Sequence, residues 1–328
     1  MAFQIGTAMG HTDFFTKLVD FLENDPTLVG LGQQWTTVWQ ANPTDPNPTA
    51  RVLSGPGLAG GDEVFVGIEL FEDVLSGFYE IRSRGMTDII ASATQLSEHV
   101  NVSPEVRVFL NISPFDYWFV ANGRRFIIAA QISTVVETGY FGLIQPYAQP
   151  PNYPFPLFIG GMAGPRTDSQ IDDFRSTADA HTDYLHPFVD TSASSPAASN
   201  AYLLEPAGAW RDHASRGAGS TSAETLARVM VHPYEGGREL FSSRELTDSR
   251  LLLENTIETY GGDFLTQPVT LFAEQATQQV YGILDGVFAV QGINNANQNT
   301  VTIDGTDHIV FQNAFRTETD QFHAVRLD

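Results

Sequence analysis

Phe115-Asp116-Tyr117-Trp118-Phe119-Val120-Ala121, then Asn122-Gly123, then Arg124-Arg125-Phe126-Ile127-Ile128-Ala129-Ala130-Gln131-Ile132-Ser133-Thr134-Val135-Val136 is two β-rich runs about an Asn-Gly pair. Asn-Gly in that setting is the strongest short-range hairpin signal, because a tight turn there asks for φ > 0 at both positions. On this reading Gly123→Val impairs folding, since a β-branched residue resists that backbone. Phe115, Tyr117, Trp118 and Phe119 fall on both faces of the first strand. Such a strand is either buried on both sides or lends one face to a partner or a sugar. Arg124 and Arg125 are placed to pair with carboxylates, within the chain or across a subunit boundary.

Outward from this hairpin the β character continues. Val64, Val66, Ile68 and Leu70 alternate with Phe65, Gly67, Glu69 and Phe71, and 78–82 and 106–110 supply further strands. Residues 34–40 read as a strand, followed by a turn-rich stretch at 41–48, and 139–144 extends the hairpin. Beyond residue 200, strands are expected near 225–232, 268–273, 279–284, 286–291, 300–303, 308–315 and 321–327, with turns at Asp285-Gly286 and Asp304-Gly305. The segment 248–260 fits helix or strand equally. Ahead of all this, Phe14, Phe15, Leu18, Val19 and Leu22 make one apolar stripe of a helix over 12–24, with Thr12 as its cap. That stripe either packs on its own domain or docks on a neighbouring subunit. The fold class expected is mainly β: two antiparallel β-sandwich or jelly-roll-like domains with a short N-terminal helix. The expected divisions are 1–50 (helix and strand, a docking element), 51–164 (first β domain), 165–200 (polar linker or loop) and 201–328 (second β domain).

Residues 145–158 hold five prolines among Tyr147, Tyr153, Phe155 and Phe158. Proline forbids a central strand there. The segment either covers a sheet face or reaches out as an arm, and 145–161 is taken as that arm.

Composition excludes several classes. The chain has 328 residues and a formal net charge of −22, which repels a phosphate backbone, so no nucleic-acid partner is expected. It has no cysteine, hence no disulfide, zinc–thiolate site or thiol nucleophile. No apolar run is long enough to span a bilayer, so no membrane insertion is expected. Residues 1–10 lack the basic and apolar regions of an export signal, which points to synthesis in the cytoplasm. Lys17 is the only lysine beside 16 arginines, so almost every cation is a planar fork suited to carboxylates.

Chemistry is sparse. There is no phosphate-cradling loop, nucleophile elbow, zinc-protease helix or EF-hand loop. Asp168, Asp172, Asp173, Asp179, His181, Asp183 and His186 crowd 168–186, where a divalent cation competes with a plain solvated loop. A glycosidase carboxylate pair needs two acids across an aromatic cleft, and no spacing singles one out. His308 and His323 read as core or interface. Trp210 with Arg211, Asp212 and His213 would favour a carbohydrate binder if they lined an open groove. No catalytic, cofactor or metal residue is assigned.

Tyr117-Trp118-Phe119-Val120-Ala121-Asn122-Gly123-Arg124-Arg125-Phe126-Ile127, the apolar strand 127–136, Tyr140-Phe141-Gly142-Leu143 and the Pro/Tyr-rich 147–161 together resemble structural proteins of tailed bacteriophage virions. The opening helix 6–22 with Gln34-Trp35-Thr36, the run 281–287, Val310-Phe311-Gln312-Asn313-Ala314-Phe315-Arg316-Thr317 and Ala324-Val325-Arg326-Leu327-Asp328 extend the likeness over most of the chain. Residues 165–245 match nothing in that pattern, so any activity particular to this protein would lie there. The resemblance implies a non-enzymatic virion component of the tail or baseplate, with a head or neck location as the alternative. It implies a homo-oligomer in a ring or other symmetric assembly, with other virion structural proteins as partners. A receptor- or carbohydrate-binding module at the tail tip, taking a host surface glycan, is the competing reading. The candidate assembly residues are Phe14, Phe15, Leu18, Tyr117, Trp118, Arg124, Arg125, Tyr147, Tyr153 and Phe155.

Overall fold

The computed structural model describes residues 1–42, 49–57, 62–75, 77–148, 151–163, 200–212, 229–232, 266–274, 278–290, 292, 295–312 and 322–328. The turn-rich 43–48, the segment 164–199 with its acidic–histidine cluster, and 248–260 lie outside them. In chain order the elements are β1 (Ala2–Ala8), α1 (His11–Asn24), α2 (Pro26–Gly30), β2 (Thr36–Gln40), β3 (Ala50–Gly55), β4 (Val64–Asp73), β5 (Phe78–Met86), the 3-10 turn η1 (Leu96–Glu98) and β6 (Val106–Phe109). Next come β7 (Phe115–Ala121), β8 (Arg125–Ile132), β9 (Val135–Leu143), β10 (Gln145–Pro146), β11 (Leu157–Gly160), β12 (Ala201–Leu204) and β13 (Trp210–Asp212). The last are β14 (Val229–His232), β15 (Thr266–Glu274), β16 (Gln278–Val290), β17 (Thr300–Ile303), β18 (Thr306–Gln312) and β19 (Phe322–Arg326).

The chain is mainly β and antiparallel, as expected. A seven-stranded central sheet runs β1-β7-β8-β9-β11-β12-β13. An N-terminal sheet (β2-β3-β4-β5-β6) lies on one side of it, and a C-terminal sheet (β14-β15-β16-β19-β18-β17, with β10 beside β16) on the other. The central sheet therefore belongs to two sandwiches. Phe115, Tyr117, Phe119, Phe126, Ile128, Phe141, Leu157 and Ile159 point to a core shared with α1 and the N-terminal sheet. Trp118, Val120, Ile127, Ala129, Tyr140 and Phe158, one position out of step, point to a core shared with the C-terminal sheet. The period of two along each strand divides the aromatics between two interiors, which answers why β7 is aromatic on both faces. The central sheet draws strands from both sides of 165–200.

The apolar stripe of α1 is buried, with Phe14 5.0 Å from Phe119 and 5.4 Å from Phe115 between ring centroids. Each such side chain stabilises the core by about 1.5–3 kcal/mol. The helix starts differently from the expectation. Gly10, not Thr12, is the N-cap, and the Asp13 carboxylate accepts the Met9 N–H at 2.8 Å and Lys17 Nζ at 2.7 Å.

The hairpin expected over 115–136 is present, with its second strand ending at Ile132, but its turn is of another kind. Neither Asn122 nor Gly123 has positive φ. The loop is four residues long: the Asn122 N–H donates to the Arg125 carbonyl at 3.0 Å, and Asn122 Oδ1 accepts the N–H groups of Arg124 and Arg125 at 2.8 and 3.1 Å. Here the Asn side chain closes the turn, as an Asx motif. Gly123 is required for a different reason. A Cβ there would lie 2.3 Å from the Gly57 carbonyl oxygen, and Gly57 N–H donates to the Gly123 carbonyl at 2.8 Å. Trp35, buried beneath the tip, donates its indole N–H to the Asn122 carbonyl at 2.8 Å. A second turn at Ser133-Thr134 splits the following apolar run into β8 and β9, with Ser133 at φ 62°.

The expected arm is drawn in. Within 145–161, β10 pairs with β16, Tyr153 is buried, and β11 sits inside the central sheet between β9 and β12. Its prolines fall before β11, so the strand's own N–H groups are intact. Asp304-Gly305 makes the expected two-residue hairpin turn, with φ of 51° and 79°. Asp285-Gly286 does not. β16 runs through it without reversing, and Gly286 at φ 74° marks where β16 exchanges β10 for β19 as its neighbour.

Because the constraint at residue 123 is contact and not φ, Gly123→Asn should be as damaging as Gly123→Ala. Both are expected to lower the Tm by several degrees in thermal unfolding. A left-handed turn would instead tolerate asparagine.

Candidate functional site

The best-defined polar centre is buried where the hairpin tip meets the C-terminal sheet. The Arg125 side chain has no exposed surface, and its Nε lies 3.3 Å from Asp285 Oδ2. Asn122 Nδ2 donates to Asp285 Oδ2 and Gln145 Nε2 to Oδ1, each at 2.7 Å. The Asp285 N–H donates to the Tyr140 hydroxyl at 3.2 Å, and that hydroxyl donates to the Leu143 carbonyl at 2.7 Å. Burial by itself would raise the Asp285 pKa. Arg125, then Asn122, Arg326 and Arg124, outweigh it and hold the carboxyl below its ordinary value. Gly286 makes room for the guanidinium: a Cβ there would meet Arg125 Nη2 at 2.4 Å. The two opposite charges face each other inside the chain, so this centre locks layers together.

The ten residues singled out in the sequence have these places. Phe14, Phe15, Leu18 and Tyr117 lie in the N-terminal-side core, and Trp118 packs edge-on against Phe311 at 5.3 Å in the other. Arg125 is the buried cation just described. Arg124, part-buried, pairs through Nε with Asp62 Oδ2 at 2.7 Å. Tyr153 is buried and donates its hydroxyl to the Leu204 carbonyl. Tyr147 and Phe155 are exposed. His308 and His323 are buried in the C-terminal sheet, as the core reading expects. Burial pulls His323 down to about 3, so it stays neutral at ordinary pH.

The arginine bias finds its use on the N-terminal sheet. Arg82, Arg84 and Arg107 interleave with Glu80 and Glu105, with N–O separations of 2.7 Å for Arg82–Glu80 and 2.9 Å for Arg107–Glu105, and the Arg82 guanidinium lies 3.3 Å above the Phe71 ring centre. Among the described residues no group of three or more His, Asp or Glu side chains is placed to hold a metal ion.

Two surface features were not legible in the sequence. The first is apolar. Met9 is 69% exposed, Val74 67%, Leu75 98% and Ile112 56%. Three connections bring them to one end of the molecule. Gly10 lies against the Ile112 carbonyl, the His11 ring sits 4.5 Å from the Tyr79 ring at a tilt of 37°, and His11 Nε2 is 3.3 Å from Glu72 Oε2, just before the Val74-Leu75 turn. The second is a groove beside the β12–β13 turn, where Glu205 accepts Arg211 Nη2 at 2.9 Å and the Tyr281 hydroxyl at 2.5 Å. Burial, then the Glu205 carboxylate, push the Tyr281 phenol above its ordinary value, so it remains a donor. Arg211 lines this groove; Trp210 turns inward, donating its indole N–H to the Asn101 carbonyl at 3.0 Å.

Comparison with family models and with curated proteins finds no match. The functional reading therefore rests on residues and geometry.

One buried acid stands outside both features. Glu137 on β9 has no hydrogen-bond partner at Oε2, and burial raises it to about 8. Its ordinary value is 4.5. Between those values the native state keeps a proton that the unfolded chain releases, so stability present at low pH is lost as pH rises through about 8, by about 1.4 kcal/mol per unit. Glu137→Gln should abolish this slope, with a Tm above wild type at pH 8 and little difference at pH 4.5. Asp285 has the opposite sign, its contribution being present above the unfolded carboxylate value and lost as pH falls through its lowered one. Asp285→Ala, which strands Arg125, should cost about 3–5 kcal/mol in urea unfolding at pH 7.

Proposed function

We propose that this chain is a non-enzymatic structural subunit of a tailed-phage virion, of the tail or baseplate, that works by self-association and by contact with other virion proteins. The observation that carries the assembly part is the apolar end formed by Met9, Val74, Leu75 and Ile112. Large apolar side chains gathered on one surface from separate loops mark a contact site, because leaving them in water is costly. The three-layer body behind them gives a rigid mount, with its polar centre closed by internal partners. Placement in a phage tail or baseplate is supported by the sequence resemblance, whose central segment, 117–161, supplies the hairpin, β8, β9 and β11 of the shared sheet.

Two measurements test this. Immunogold labelling of virions that carry the gene should mark the distal tail. Label on the head or neck would move the placement, and no label would remove the virion reading. In light scattering after gel filtration, Leu75→Asp with Ile112→Asp should leave a folded chain, judged by unchanged Tm, while weakening self-association at least tenfold. A wild-type chain that stays monomeric and binds no virion protein would refute the assembly role.

A further inference from the structure

We propose that the open edge of the central sheet, strand β1, pairs antiparallel with β1 of a second copy of this chain, joining two central sheets into one. Among the described strands β1 ends the order β1-β7-β8-β9-β11-β12-β13. It pairs with β7 through all seven of its residues without a register shift, about 23 Å of unbroken strand. An edge strand leaves the N–H and C=O of alternate residues unpaired on its outer side. Among the described residues, one bond reaches the β1 backbone from outside the sheet, Lys17 Nζ to the Thr7 carbonyl at 2.9 Å.

Edges are kept from pairing by shortness, charge, proline or a bulge. The other described edges have such protection. β2 carries a bulge between Thr37 and Trp39, and the Thr37 N–H donates to Glu23 at 3.0 Å. On β6 the Arg107 N–H donates to the Ala163 carbonyl at 2.8 Å, and the Arg107 carbonyl accepts the Met162 N–H at 2.7 Å. β13 has three residues, two of them charged, and β14 and β17 have four each. Ala2–Ala8 has none of these devices: it is seven residues long and contains no charge and no proline.

Its side chains are also left open. Phe3 is 48% exposed and Ile5 51%, although they stand beside Val120 and Trp118, which belong to the core shared with the C-terminal sheet. A strand added at this edge continues that apolar face. Charge and symmetry select a second copy as the partner. In a chain of net charge −22, copies that meet on an acidic surface repel each other, whereas residues 1–10 contain no Asp, Glu, Lys or Arg. Lys17 is paired with Asp13 at 2.7 Å, and Asp116 on β7 accepts the Thr7 hydroxyl at 2.7 Å. A two-fold axis normal to the sheet places Phe3 and Ile5 of both copies on one face, where each extends the other's apolar surface. This inference is independent of the assembly reading, since Phe3 and Ile5 are not part of the apolar end. The edge stops at a pair, so the weakening expected for Leu75→Asp with Ile112→Asp concerns growth beyond that pair.

The test is analytical ultracentrifugation of the full chain, and of the chain carrying Leu75→Asp with Ile112→Asp, over a concentration series. Hydrogen–deuterium exchange with mass spectrometry is run on the same samples. Both chains are expected to pair with a Kd below about 100 µM. Amides of 2–8 that exchange fast in the monomer should slow at least tenfold as the pair forms, while those of β9, inside the sheet, stay unchanged. Phe3→Lys and Ile5→Lys each place a lysine on the edge at a half-exposed position, so a folding failure of one leaves the other. Each lowers the net negative charge, so a general easing of repulsion would tighten the pair; with unchanged Tm, each should instead weaken it at least tenfold. A Leu75→Asp, Ile112→Asp chain that stays monomeric while the wild type assembles would overturn strand pairing and leave the apolar end standing. A monomeric wild type, a pair that leaves 2–8 unprotected, undiminished pairing by a folded lysine variant, or protection of 2–8 only after another virion protein is added would each overturn the proposal.

Discussion

The Arg125–Asp285 contact governs how the layers are joined. Two opposite charges are removed from water at the meeting point of the hairpin tip and the C-terminal sheet, and that is tolerable only where geometry supplies full compensation. Asn122 and Gln145 complete the carboxylate, Gly286 clears space for the guanidinium, and Tyr140 anchors the backbone of residue 285. The same Asn122 closes the hairpin loop with its Oδ1 and receives Trp35 at its carbonyl. One side chain and its peptide thus tie the N-terminal segment, the central sheet and β16 to a single point. Replacing both partners of such a buried pair with apolar groups can leave stability unchanged, whereas removing one strands the other in the interior.

That dependence explains what the sequence could and could not reveal. Strand existence was legible, because alternation in 64–71 and the turn at Asp304-Gly305 are local signals. So was the buried stripe of α1. Asp285-Gly286 carries the same dipeptide signature as Asp304-Gly305 yet lies inside a continuous strand. Its aspartate is captured by Arg125, 160 positions away in the chain, and tertiary electrostatics override turn preference. Asn122-Gly123 marked the right place for the wrong reason, since the glycine answers to the Gly57 carbonyl. The Ser133-Thr134 turn was hidden by β-branched neighbours, whose pattern reads as uninterrupted strand.

The site features were less legible still. Leu75 and Ile112 look like ordinary apolar residues near strand ends, and only the fold leaves them uncovered beside Met9. The groove needs Ala148, Glu205, Arg211 and Tyr281 at once, and no spacing rule connects those positions. Aromatic richness was visible, but its division between two interiors depends on a sheet covered on both faces, which the sequence pattern of a single strand leaves open.

The shared central sheet has a consequence for how such a chain can change over time. In a protein of two side-by-side units, either can be swapped, duplicated or lost while the other persists. Here every strand from β7 to β12 for which both faces are buried serves two interiors through alternate residues, so removing either outer sheet would strip a whole apolar face. The two sandwiches are not modules. Substitutions along the middle layer must satisfy two cores with different neighbours at adjacent positions, a constraint that the connections and edges escape.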